Sequence, residues 1–99
     1  MSQAIEELLL APDPIAHAKS TEMRLDGDSV RIEFLTIGFG VMTDAELTRE
    51  FSARDPRRLD GASSAGDVFS AWMPAPSLCR LGRDPRIAWV QVANGPKPH

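Results

Sequence analysis

Thr21-Glu22-Met23-Arg24-Leu25-Asp26-Gly27-Asp28-Ser29-Val30-Arg31-Ile32-Glu33-Phe34 decides the fold. Met23, Leu25, Val30, Ile32 and Phe34 are apolar at alternate positions on either side of a polar turn over residues 26–29, the period-two pattern of a hairpin with one buried face. A turn centred on Gly27-Asp28 sets Leu25 opposite Val30 and Met23 opposite Ile32. It also sets Arg24 against Arg31 and Glu22 against Glu33, a repulsion that the diagonals Arg24 to Glu33 and Glu22 to Arg31 offset. A turn on Asp26-Gly27 would pair Glu22 with Arg31 but would place Leu25 against Asp28. Burial of two apolar pairs outweighs exposed ion pairs worth under about 1 kcal/mol each, so the first register is predicted.

Beyond Phe34 the pattern continues as Leu35, Ile37, Phe39 and Val41 with Gly38 and Gly40 interposed. Two glycines separated by one residue suit a bulge or a close backbone approach, so either the strand's second face is also covered or the chain bends here. Gly38-Phe39-Gly40 has neither the dinucleotide spacing nor the lysine of a phosphate loop. Thr43 and Glu46 then form a capping box, with Met42 and Leu47 spaced as a hydrophobic staple. The helix so begun points Leu47 and Phe51 at the core, pairs Glu46 with Arg49 and Glu50 with Arg54, and ends at Asp55 before Pro56.

Upstream, Ser2 can cap a helix over residues 3–10 whose Ala4, Ile5, Leu8 and Leu9 share one face. That face is predicted to cover the sheet; the alternative is docking into a partner's groove. Pro12-Asp13-Pro14 reads as a rigid extended or turn segment. Downstream, residues 57–66 read as a surface loop. Ser64 and Asp67 have box spacing for a second short helix carrying Val68 and Trp72 on one face and ending at Pro74 and Pro76. Residues 77–81 and 86–92 are predicted to form a second hairpin, the later strand apolar on both faces and therefore central. Residues 94–99 read as a flexible C-terminal tail after a single domain over residues 1–93. Arg-Asp-Pro-Arg occurs at 54–57 and at 83–86, but the flanking residues do not match and no duplication is inferred.

Ninety-nine residues, 42% of them hydrophobic, suffice for one modest core. The single Cys79 cannot form an internal disulfide, and no Cys/His set has metal-ligand spacing, so neither metal nor cofactor is expected and a reducing, cytoplasmic setting is the default. No signal peptide is evident, and the apolar run at 8–11 is far too short to span a bilayer. Net charge is −3, unevenly spread: residues 1–48 hold nine acidic and three basic side chains, net −6, whereas residues 49–99 hold five acidic and eight basic, net +3. Such asymmetry steers association with charged partners.

No catalytic constellation emerges. Ser63 lacks a nucleophile elbow and has no sequence link to His17 or His99. His17 reads as a neutral surface or half-buried histidine rather than a metal ligand. Cys79 reads as a small core atom, although Arg80 beside it could favour a thiolate. Arg49, Arg54, Arg57 and Arg58 make the densest basic cluster, able to contact phosphates, but the overall negative charge and the interspersed Asp55 and Asp60 oppose that use. Trp, Met and Arg are interface-rich residue types. Trp72, followed by Met73 and Pro74, is placed equally well in a core or on a surface; Trp89, in the second hairpin, is assigned to the core.

The fold class predicted is α+β, an antiparallel sheet of about four strands in two hairpins, packed with two or three short helices. The function predicted is that of a small protein-binding module, an accessory or inhibitor protein of the sort carried by phages or mobile elements, which occludes or bridges a macromolecular partner without enzymatic activity. Its candidate partner contacts are Glu22, Glu33, Trp72 and Met73, and a homodimer is compatible with it. The first alternative is a nucleic-acid-binding protein using Arg49, Arg54, Arg57 and Arg58. The second is a small enzyme or ligand-binding domain with its site at a subunit interface.

Overall fold

A computed structural model describes residues 3–20 and 25–93, with Ala4, Ala18 and Ser20 described by backbone alone. In chain order the elements are α1 (Gln3–Leu10), α2 (Pro14–Ser20), β1 (Leu25–Asp26), β2 (Ser29–Thr36), α3 (Asp44–Phe51), β3 (Arg54–Arg58), β4 (Val68–Pro74), α4 (Ala75–Arg83) and β5 (Ile87–Val92). The fold is α+β, with a five-stranded antiparallel sheet and four short helices.

The first hairpin has the predicted register, Leu25 opposite Val30 and Asp26 opposite Ser29, and Gly27 supplies the positive φ of +66° in its turn. The Met23 to Ile32 pair, the ionic pairs of Glu22 and Arg24, and the tail at 94–99 lie outside the described residues. β4 runs along one edge of β2, from Ser29 opposite Pro74 to Leu35 opposite Val68. The other edge is shared by β1 and β5, the latter pairing Ile32 with Val92 and Phe34 with Val90. β3 completes the sheet beside β4. Thus β2 and β3 are parallel, joined through α3 with β4 between them, and β4 and β5 are parallel, joined through α4 with β2 between them. Two interlocked units of this kind make the split βαβ, or ferredoxin-like, plan.

Period two sorts the side chains. Val30, Ile32 and Phe34 of β2, Phe69, Ala71 and Met73 of β4, and Val90 of β5 turn inward. There they meet Ile5 and Leu8 of α1, Leu47 and Phe51 of α3, and Leu78 and Leu81 of α4 in a single core. Phe34 and Phe69 stack at 5.6 Å between ring centroids. Ile5, Leu8, Leu47 and Phe51 are buried as predicted, and the capping box of α3 forms, with Thr43 Oγ1 accepting from the Glu46 N–H and Glu46 Oε1 accepting from the Thr43 N–H.

Four predicted elements differ. The segment expected as a second helix is β4. Val68 and Trp72, four apart, share a face in a strand as readily as in a helix, and the carboxylate of Asp67 accepts from the Gly40 N–H instead of closing a box. The strand expected at 77–81 lies within α4. Pro74 and Pro76, read as terminators, sit at the helix start, where proline costs no hydrogen bond, and Ala75, Leu78 and Leu81 form its buried stripe. The second hairpin therefore does not exist, and β5 pairs with β2. α3 stops at Phe51, where Ser52 adopts the left-handed conformation, and the expected loop begins instead as β3. Asp55, at φ +48°, and Pro56 form an irregularity in that edge strand, the position where a proline is tolerated. Finally, Pro12-Asp13-Pro14 is a helix start: the Asp13 side chain accepts from the Ala16 N–H, and Pro14 opens α2.

At the end of the sheet where β2 finishes, three loops are tied together. The chain bends after Thr36, leaving Ile37 and Phe39 exposed, and the Thr36 N–H donates to the Asp67 carbonyl at 2.9 Å. The Asp67 N–H donates to Thr36 Oγ1, and the Ile37 N–H donates to the Arg86 carbonyl. Arg86 clamps this end to α3, with Nη2 donating to Glu50 Oε1 at 2.9 Å and to Asp84 Oδ2 at 2.7 Å, and Nη1 lying 3.7 Å from Glu46. The predicted pairs Glu46 to Arg49 and Glu50 to Arg54 give way to Arg86, which meets both carboxylates, while Arg49 lies 3.9 Å from Glu50. The Arg86 guanidinium holds the Asp84 carboxyl below its ordinary value against the opposing effect of burial, and Arg86 itself is raised.

The tightest backbone approach is at Gly66, where a Cβ would collide with the Thr36 carbonyl oxygen and press on the Gly38 nitrogen. Neither backbone group can swing aside as a flexible side chain could. Gly66→Ala is therefore expected to destabilise the protein by about 1–3 kcal/mol in chemical denaturation. Gly38→Ala, whose added Cβ would meet only Val41 at 3.6 Å, is expected to cost less.

Candidate functional site

The alternation that buries Val30, Ile32 and Phe34 delivers Arg31, Glu33 and Leu35 to the opposite face of β2, turned away from the core shared with α1, α3 and α4. β4 adds Val68, Ser70 and Trp72 to this outer face, β5 adds Trp89 and Gln91, and β3 adds Arg54 and Arg57. Two adjoining depressions occupy it. The upper one, about 370 Å³, lies between Trp89 and Leu59, over Leu35 and Val68, with Glu33 and Gln91 at its side. The lower one, about 420 Å³, is lined by Arg31, Asp55, Arg57, Ser70 and Trp72, and again by Glu33. Glu33 and Leu59 are common to both.

Arg31 organises the lower depression. Its side chain is 8% exposed, and a guanidinium so far removed from water needs its donors engaged. Nε donates to Ser70 Oγ at 2.9 Å, Nη1 donates to the Asp55 carbonyl at 3.3 Å, and the Asp55 carboxylate stands 3.5 Å away. The guanidinium also lies over the Trp72 ring, 5.5 Å from its centroid. The irregularity at Asp55 presents both its carbonyl and its carboxylate to Arg31. Arg57 Nε meets the same carboxylate at 3.2 Å. At the far end Arg54 reaches from β3 to Asp26 of β1 at 2.9 Å, fastening the edge strand to the hairpin turn.

The upper depression is held by a polar relay. Trp89 Nε1–H donates to Gln91 Oε1 at 3.3 Å, and Gln91 Nε2 donates to Glu33 Oε1 at 3.2 Å. The relay sets the indole and the carboxylate on either side of one amide, while Trp89 remains 44% exposed.

Of the partner contacts predicted from sequence, Glu33 and Trp72 lie together on this face. Met73 does not: it is fully buried, because its neighbour Trp72 points outward and the next residue of a strand points the other way. Glu22 lies outside the described residues. The predicted basic cluster is dispersed. Arg49 projects from α3, Arg54 and Arg57 lie on the outer face, and Arg58 lies beside Asp67 near the start of α3. Each has a carboxylate within 4 Å: Arg49 with Glu50, Arg54 with Asp26, Arg57 with Asp55 and Arg58 with Asp60. Trp89 is not in the core. Its strand is an edge, and Leu35, its partner on β2, faces outward. The sequence placed Arg31 and Glu33 on one side of a strand; the roles of Ser70, Asp55 and Trp89 carried no local signal.

His17 is half-buried on α2, Cys79 is half-buried on α4 beside Leu9 and Leu10, and neither lines either outer-face depression. Among the described residues no group of three His, Cys, Asp or Glu side chains could hold a metal ion. Among them, too, no helix is long and apolar enough to cross a membrane.

No family model, curated protein or solved structure matches this chain.

The anchoring of Arg31 is open to test. Ser70→Ala removes a buried partner from a buried charge and is expected to lower stability by about 1–3 kcal/mol in urea titration. Asp55→Asn keeps the carbonyl that Arg31 uses and alters only a half-exposed carboxylate, so its effect is expected to stay below about 1 kcal/mol.

Proposed function

We propose that this protein is a protein-binding module whose docking surface is the outer face of its sheet. The observation that supports the reading is the make-up of that face: Trp89 exposed, Trp72 half-buried and Leu35 half-buried, among charges that are matched. Among the described residues Arg31, Arg54 and Arg57 face Asp26, Glu33 and Asp55, three cations and three anions, with most of them already paired. Aromatic anchors inside a polar, charge-balanced surround are the composition of a protein interface. Such a module acts by covering a partner's working surface or by bridging two partners, as an accessory or inhibitor protein does.

Charge balance weighs against the nucleic-acid alternative. Phosphate binding draws its affinity from unpaired cations and their released counterions, whereas Arg49, Arg54, Arg57 and Arg58 each stand beside a carboxylate. An enzyme built on Cys79 or His17 would need them in a shared polar cleft, and neither residue lines the outer-face depressions.

Site-specific photocrosslinking in the native host tests the reading. A crosslinker at Gln91 or Arg57, on the outer face, is expected to trap one and the same protein, and Trp89→Ala or Glu33→Lys is expected to abolish the adduct while leaving the fold intact. A crosslinker at Gln3 or Arg83 is expected to trap none of it. Equal yield from all four positions, or trapping of nucleic acid that fades steeply with salt, would overturn the proposal.

A further inference from the structure

The geometry points to a specific occupant of the upper depression: one lysine or arginine side chain of the protein partner, its methylenes lying on Leu35, Val68 and Trp89 and its cationic head meeting Glu33. The inference rests on the docking face described above and names what that face recognises.

Among the described residues Glu33 is the only ionisable one lining the upper depression; the floor and walls are otherwise aliphatic or aromatic, with Gln91 and Ser63 as the other polar groups. A carboxylate accepts about four hydrogen bonds, and Glu33 takes one from Gln91. It makes no ion pair among the described residues. Arg31 and Arg57 share the lower depression with it, but Arg31 is committed to Ser70 and Asp55, and Arg57 to Asp55. The indole of Trp89 supplies an exposed aromatic surface at the other side, fixed by its bond to Gln91.

A cation is the ligand that uses all of these features at once. An amine or guanidinium gains from the ring quadrupole and from the carboxylate, while a long aliphatic stem covers the apolar floor. An acidic side chain would meet Glu33 as a like charge, and a neutral apolar one would leave the carboxylate's remaining acceptors without a donor. The volume, about 370 Å³, is at the small end for a ligand cavity and suits a single long side chain.

The same face already contains the arrangement in completed form. Arg31 lies over Trp72 with the Asp55 carboxylate at 3.5 Å, so cation, indole and carboxylate meet within this chain. Trp89 and Glu33 present the indole and the carboxylate a short way along the sheet, with no arginine or lysine among the described residues that line the depression between them.

Four blocked tripeptides, acetyl-Gly-X-Gly-amide with X as lysine, arginine, norleucine or glutamate, separate the alternatives when titrated into the full-length protein at matched ionic strength. The readouts are the NMR signals of the Trp89 indole N–H and the Gln91 side-chain amide. The lysine and arginine peptides are expected to bind at least about fivefold more tightly than the norleucine peptide, with glutamate weakest. Glu33→Gln is expected to erase that preference and leave norleucine binding unchanged, with an unaltered denaturation midpoint showing that the fold survives. Equal binding of norleucine and lysine, or no saturable shift with any peptide, would overturn the assignment. The two proposals fail separately: a partner crosslinked at Gln91 without any cation preference removes this occupant and leaves the docking face, whereas cation binding without a crosslinked partner does the reverse.

Discussion

β2 is paired along both edges, by β4 on one side and by β1 and β5 on the other, and its residues alternate between two environments without a break from Val30 to Leu35. Everything else follows from that constraint. The strand lies inside both split βαβ units, so the crossover through α3 and the crossover through α4 close over the same inward row of Val30, Ile32 and Phe34. A shift of β2 by one residue would drive Arg31 and Glu33 into the core and is excluded by the cost of burying them there. The row that forms the core therefore fixes the row that forms the outer face.

The outer face is stable because its charges are used locally. Arg31 is buried, though less completely than the core side chains, and its donors are engaged by Ser70 and by both ends of Asp55 while its flat surface rests on Trp72. The irregularity that makes this possible sits in β3, where Asp55 takes a positive φ and Pro56 follows without an N–H to satisfy. The same irregularity blunts an edge strand that could otherwise pair with foreign chains. The Arg86 cluster does the corresponding work at the end of the sheet, tying α3 to the loop before β5. On this face most of the charges are already paired within the chain, and Trp89 stays exposed among them.

The parts legible in the sequence were those governed by a single local rule. The hairpin register followed from pairing Leu25 with Val30, the start of α3 from Thr43 and Glu46, and the core side of α1 from Ile5 and Leu8. The errors fell where one pattern satisfies two geometries. Val68 and Trp72 share a face in helix and strand alike, and only the pairing of β4 with both β2 and β3, a long-range fact, decides between them. Pro74 and Pro76 stop a preceding element or start a following one with equal ease. A strand at 77–81 implies a second hairpin that does not form, and the apolar residues on both faces of the last strand imply a central position and a buried Trp89, whereas β5 is an edge strand and Trp89 is exposed. For the site, alternation put Glu33 on a surface, but which residues on other strands would join it depended on a sheet order that no local signal encodes.

β2 divides the described residues into a closed core and an open outer face, with both tryptophans on the open side. Nuclear Overhauser contacts in the uniformly labelled protein test it most directly. The account requires contacts from the Trp89 indole to the Leu35 methyls and from the Trp72 indole to the Arg31 side chain, and none from either indole to Leu47, Phe51 or Leu78. Contacts from the Trp89 indole to Leu47, Leu78 or Leu81 would place it in the core, close the outer face, and contradict the account.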